Sequence, residues 1–268
     1  MADLFGFRPS NALGALVYKG AATGFLINKA FLSLDKNTYI PPSPPIINSS
    51  KILRHEKQER FMSTIKKGID LSHFQGDIDF KKVFEAGIEY AFIKTTEGAT
   101  VQDNKYTTYR TDARAVGIKT GAYHYFRALS SSPEAQRDNI VSTLTAADFD
   151  ASTEFFAIDA ELEGNEKATP DEMADNLHKL LTLLDNEKIL NSKKPFIYCD
   201  NNFWMNHILG EKYAFSEYPL WIANWDVSEP KVPASWEVAG KSWSIWQHSN
   251  KGRIAGIEVD VDLNWVRT

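Results

Sequence analysis

The segment FFAIDAELEG sets two carboxyl groups, Asp159 and Glu161, two residues apart at the end of an apolar run. On an extended strand, residues i and i+2 project to the same face, with Cα atoms about 6.6 Å apart. Two carboxylates held that close raise the proton affinity of one of them, which keeps an acid protonated near neutral pH. One protonated and one ionised carboxyl is the minimum set for cleaving a glycosidic bond. The same Asp-x-Glu has a bland reading, in which strand-end acids cap helices or pair with Lys and Arg. Glu163 shares the parity but stands beside Gly164 and reads as solvated loop. Asp70 in GIDLS and Asp262 in VDVDLN are the other strand acids that could look into one cleft. Lys94 in YAFIKT could neutralise a cleft acid, or simply snorkel from the core. Tyr123, Tyr125, Tyr198, Trp221 and Trp246 offer flat faces to sugar rings, although filling a barrel interior is the commoner use of such residues. His73, His124 and His248 read as hydrogen-bonded structural histidines, and Cys199 as an inert apolar filler.

Composition removes several other chemistries. The 268 residues carry 30 Lys+Arg against 35 Asp+Glu, a net charge of −5, which argues against the basic stripe a nucleic-acid-binding surface needs. A single cysteine makes no intramolecular disulfide and excludes Cys-based zinc or iron–sulfur sites. The six histidines show no HExxH-like spacing, so no metal is expected. Gly-x-Ser-x-Gly, Walker-type and dinucleotide fingerprints are missing, and no cofactor is expected.

The elements that must hold the acids follow from periodicity. Eight strand candidates occur at 68–72, 90–95, 117–126, 154–161, 195–199, 219–224, 243–249 and 259–264. Each of the first five gaps can hold a helix. The clearest starts at Thr169, with Pro170 and Glu172 completing a capping box and Met173, Leu177, Leu180, Leu181 and Leu184 forming one stripe. After the sixth strand, DVSEPKVPASWEVAGK has two prolines and no helical periodicity. NKGRIAGIE then suits a turn between antiparallel strands. The pattern predicts an α/β fold, an irregular TIM-like (β/α)5(β)3 barrel closed by antiparallel pairing, with a doubly wound open sheet as the competing architecture. In such a barrel the chemistry sits at the carboxyl ends of the strands.

An N-terminal extension precedes the barrel. Residues 1–38 contain a Gly/Ala-rich apolar run broken by Lys19 and Lys29. It reads as a surface or partner-packing helix, with a membrane-inserting or virion-anchoring segment as the sharper alternative that Gly14, Gly20 and Gly24 allow. No cleavable signal peptide is evident. Residues 39–67 read as a proline-rich linker and a basic helical lead-in, and 68–268 as the barrel.

Taken in order, GIDLSHFQGDIDF, YAFIKTTEGAT, GAYHYF, FFAIDAE, PFIYCDNNFW, PLWIANW, IWQHS and VDLN resemble glycoside hydrolase family 25, the Chalaropsis-type lysozymes of fungi, bacteria and phages. The resemblance covers about residues 68–268. It implies the (β/α)5(β)3 barrel and hydrolysis of the β-1,4 bond between N-acetylmuramic acid and N-acetylglucosamine in bacterial peptidoglycan. It further implies Glu161 as general acid, Asp159 as the carboxylate that stabilises charge or orients the acetamido group, and Asp70 and Asp262 as completing the acidic cleft. Lys94, Tyr123, Tyr125, Tyr198, Trp221 and Gln247 are the candidate substrate-binding residues. The second step stays open between an enzyme carboxylate and the substrate's own acetamide. Phe74 stands where the family usually has Trp, and Ala160 replaces the common Val of Asp-Val-Glu. Two other functions compete: a catalytically silent glycan-binding or structural component of a phage particle, and a chitinase-like activity. Action on the cell wall, outside the cell or in the periplasm or from a virion, is the implied location.

Overall fold

The computed structural model describes residues 65–268. The apolar segment 1–38 and the linker up to residue 64 lie outside the described residues, together with the membrane and virion expectations placed on them. Among the described residues, no helix is long and apolar enough to cross a membrane.

Each strand candidate is a strand, and each of the first five gaps holds a helix. The chain runs β1 (Ile65–Leu71), α1 (Phe80–Glu85), β2 (Tyr90–Glu97), a two-residue β3 (Val101–Gln102), α2 (Tyr106–Ala115), β4 (Lys119–Tyr125) and α3 (Pro133–Ala146). It continues as β5 (Phe155–Asp159), α4 (Pro170–Asp185), β6 (Phe196–Asp200), α5 (Asn201–His207), β7 (Leu220–Ala223), α6 (Ala234–Val238), β8 (Trp243–Gly252) and β9 (Val261–Arg267). The sheet closes in the order β1-β2-β4-β5-β6-β7-β8-β9 and back to β1, while β3 folds back on β2 as a hairpin. Neighbours from β1 to β8 are parallel, as crossover helices require, and β9 is antiparallel to both β8 and β1.

Two local expectations need correction, and one element carries no sequence signal. Residues 65–67, read as the end of a helical lead-in, begin β1, because their backbone pairs with Arg267, Val266 and Trp265 of β9. The segment after β7 does form a helix, the five-residue α6, where Pro233 precedes the first turn and Trp236 is buried. The β2–β3 hairpin has no sequence signal beyond two residues and was not expected.

Alternation along the strands sorts side chains into two cores. Phe156, Ile158 and Ala160 pack outward under the helices, against stripes such as Met173, Leu177, Leu180, Leu181 and Leu184 of α4, all fully buried. Burial of each such leucine contributes about 1.5–3 kcal/mol. The α4 stripe is fixed at its start by the reciprocal Thr169–Glu172 capping box. The barrel interior is a separate cluster of Tyr90, Phe92, Ala157, Tyr198, Trp221, Ala223, Ile245 and Val266. Gly121 is required there, because a Cβ would lie 2.8 Å from the Phe92 ring. Above this apolar plug the inward positions turn polar. On β5 the series reads Phe155, Ala157, Asp159. On the reversed β9 it reads Val266, Asn264, Asp262.

Candidate active site

The polar upper layer opens into a cleft of about 220 Å³ at the carboxyl ends of the parallel strands. Asp70 of β1 stands directly opposite Asp262 of β9 in the antiparallel register. Asp159 ends β5, yet extended pairing continues: Phe126 N–H donates to the Asp159 carbonyl (2.9 Å) and Ala160 N–H to the Tyr198 carbonyl (2.9 Å). Strand parity therefore survives to Glu161, with Ala160 buried on the helix side and both acids facing the cleft. The four acids and the six candidate binding residues, Lys94, Tyr123, Tyr125, Tyr198, Trp221 and Gln247, all line this one cleft.

Burial dominates the acid–base character of the four carboxyls. It holds the Asp159 carboxyl well above the usual range, reinforced by the negative charge of Glu161 and opposed by Lys94. The Asp159 Oδ1 atom is buried without a hydrogen-bond partner. Glu161 is raised by burial, against hydrogen bonding to Asp159 and Tyr198, with repulsion from Asp70 adding to the rise. Asp262 is pushed up to about 9 by burial and then by Asp70. Asp70 is also raised by burial, against the hydrogen bonds from Asn264 and Gln247 and the contact with Asp262.

One lysine answers these acids. Lys94 Nζ lies 2.6 Å from Glu97 Oε2 and 4.7 Å from the centre of the Tyr125 ring. Arg127 grips the other Glu97 oxygen through Nε (3.0 Å) and Nη2 (2.5 Å), and its guanidinium sits 4.8 Å from the same ring. The Tyr125 hydroxyl donates to the Glu163 carbonyl at 3.0 Å. Glu163 itself is exposed, as the loop reading required.

The aromatic candidates divide. Trp221 is 2% exposed, is packed edge-on by Tyr198 and spends its indole N–H on Asn264; it is a floor beneath the cleft, not a stacking face. Trp246 leaves the cleft altogether and donates to the Asn224 carbonyl from the outer core. Phe74, at 74% exposure, stands on the rim. His124 is buried between Thr96 (2.7 Å) and Gln136 (3.0 Å) and pushed down to about 4 by burial. His73 pairs with Asp103 at 2.8 Å, and His248 stacks on Trp265. Three residues of the site escaped the sequence reading. Asn264 was legible as the i+2 partner of Asp262. Glu97 and Trp225, the latter donating to Gln247 at 2.9 Å, carry no periodic signal.

The architecture is thus an irregular α/β barrel with an acid-lined mouth. A family model described as glycosyl hydrolases family 25 matches residues 69–257, and the chain belongs to that family. Lysozyme M1 of Streptomyces globisporus is 32% identical over 204 residues, which cover 74% of this chain and 66% of that protein. The autolytic lysozyme of Clostridium acetobutylicum is 31% identical over 198 residues, covering 74% and 55%. The match therefore spans less than two thirds of either relative's length. Among solved structures, the bacterial lysozyme from Streptomyces coelicolor superposes with a TM-score of 0.65 at 28% identity, covering 76% of this chain and 92% of that one.

Proposed function

We propose that the protein is a peptidoglycan hydrolase, a muramidase that cleaves the β-1,4 bond between N-acetylmuramic acid and N-acetylglucosamine. The observation that carries this reading is the Asp159–Glu161 pair: two carboxyls on one face of the cleft, Asp159 buried and Glu161 part-exposed, both with raised proton affinity. Family membership and the lysozyme names of the relatives support it.

Glu161, part-exposed in the cleft, is the general acid. It donates its proton to the leaving glycosidic oxygen as the bond to the anomeric carbon breaks. Its proton affinity is kept high by burial and by Asp70. Asp159 supplies the compensating group: the pair shares one proton, and when Glu161 carries it Asp159 is the carboxylate, whose Oδ1 accepts the acetamido N–H of the muramic acid residue or faces the positive charge that develops at the ring. A water then adds to the anomeric carbon and returns its proton to Glu161. Lys94 and Tyr125 border the cleft as sugar-contacting groups, while Trp221 and Tyr198 shape its floor.

The test is reducing-end release from purified peptidoglycan by the wild type and by Glu161→Gln, with mass analysis of the products. Wild type is expected to release fragments ending in N-acetylmuramic acid, and the variant to lose about 10²–10⁴-fold in rate. Absence of new reducing ends, an equally active variant, or faster cleavage of chitin oligomers would each overturn the assignment.

A further inference from the structure

Two tryptophans reach the same carboxylate oxygen through two amides. Trp221 Nε1 donates to Asn264 Oδ1 at 2.8 Å, and Asn264 Nδ2 donates to Asp70 Oδ2 at 2.7 Å. Trp225 Nε1 donates to Gln247 Oε1 at 2.9 Å, and Gln247 Nε2 donates to Asp70 Oδ2 at 3.0 Å. The Tyr198 hydroxyl adds a second donor to Gln247 Oε1 at 3.1 Å. An indole nitrogen only donates, so each amide must turn its oxygen to the ring and its NH₂ to Asp70. The polarity of both chains is fixed by chemistry, independent of how amide atoms are placed. Asp70 Oδ2 therefore receives two protons' worth of donors and cannot carry a proton itself. Its neighbour across the strand pair, Asp262, has no comparable set of amide donors among the described residues.

We infer that the two indole–amide relays pin the negative charge of the Asp70–Asp262 pair on Asp70, so that Asp262 is the protonated member and Gln247, Asn264 and Trp225 are positioning residues. Asp70 is faced by Asp262 from β9, Asp159 and Glu161 from the end of β5, Tyr123 from β4 and Tyr198 from β6, and Lys94 lines the same cleft from β2, the strand paired with β1. A fixed anion among these groups raises the proton affinity of Glu161 and Asp159. Under the muramidase reading, on which this consequence rests, the relays keep the general acid loaded. Neither tryptophan needs to touch substrate for this.

The experiment is a carbon-13 NMR titration of the aspartate carboxyls in the full chain, for the wild type, Gln247→Leu and Trp225→Phe. In the wild type Asp70 is expected to be ionised and Asp262 neutral at neutral pH. Gln247→Leu removes one donor, so Asp70 should take up a proton at higher pH than before. Trp225→Phe keeps an aromatic ring at this exposed position and leaves Tyr198 as the one remaining donor to the Gln247 oxygen; it serves where the buried change perturbs folding, and should move the Asp70 titration in the same direction by less. On peptidoglycan, both variants should shift the alkaline limb of kcat/KM to lower pH, because a neutral Asp70 no longer supports the proton on Glu161. Their loss of rate should stay well below the about 10²–10⁴-fold expected for removing the acid. A protonated Asp70 beside an ionised Asp262 in the wild type would overturn the inference, as would carboxyl titrations unmoved in both variants. A wild type inactive on peptidoglycan sinks the muramidase reading alone, since the carboxyl titration still decides where the charge resides.

Discussion

Lys94 and Glu97 form an ion pair of 2.6 Å although they stand three residues apart on one strand. Odd spacing on a regular strand sends side chains to opposite faces. An irregularity in the β2–β4 pairing between Lys94 and Thr96 cancels that offset. Thr95 and Thr96 are both fully buried as a result, and the lysine and the glutamate share a side. The pair matters because Lys94 draws the proton affinity of Asp159 down, while Glu97 offsets the lysine. Glu97→Gln should therefore leave the Lys94 charge uncompensated beside the acids. The alkaline limb of the pH–rate profile is expected to move to lower pH, which a kcat/KM profile on peptidoglycan measures directly; an unmoved limb would refute it.

Asp262 ties stability to pH in the opposite sense from an ordinary surface acid. Its folded-state proton affinity is raised, from 3.8 to about 9, so its favourable contribution is complete below the unfolded value and is lost as pH climbs towards 9. Asp262→Asn removes this dependence. The variant should melt higher than the wild type by a few degrees at neutral to mildly alkaline pH, at about 2–4 °C per kcal/mol. The gap should close near pH 4. Thermal melts by circular dichroism across that range check it.

At the other end of the barrel a carboxylate behaves conventionally. Glu154 is buried, accepts from Arg110 Nε (2.8 Å) and Nη2 (2.6 Å), from Thr120 (2.7 Å) and from the Asp150 amide (3.0 Å). Burial acts to raise it, but these donors hold it below the usual range. Its contribution is thus present above the ordinary carboxylate value and lost as pH falls. Glu154→Leu strands the Arg110 guanidinium and should cost about 3 kcal/mol, a fall of roughly 10 °C in Tm, with normal turnover at 25 °C. A drop in kcat at unchanged stability would contradict this role.

The start of β1 sets a sharp boundary for truncation. Ile65, Lys66 and Lys67 pair with the last strand, so a chain beginning at Ser63 should retain wall-degrading activity and melting temperature. A chain beginning at Gly68 loses three paired residues and should melt measurably lower. Equal melts for the two would mean that those pairings contribute nothing.

What the sequence made legible is the period-two register that carries Asp159, Glu161, Asp70 and Asp262 to one mouth, since alternation and strand order are enough to place them. Apolar stripes likewise announced α4. Less visible were features that break the period. The irregularity that brings Glu97 to Lys94 changes parity within the strand. Trp225 lies beyond β7, where no repeat constrains direction. The sequence left Trp221 open between a stacking face and a barrel filler, because a residue type reveals flatness but not depth. The first three residues of β1 were hidden by their lysines, whose side chains stay wet while their backbone pairs with β9.

Because β9 runs against both of its neighbours, Arg267 ends beside Ile65, at the end of the barrel remote from the acids. A chain cut to residues 65–268 can consequently be tethered to a bead or fused to a reporter through either terminus with the mouth left facing solution, so an immobilised form of the domain needs no rearranged connectivity to meet a large insoluble polymer.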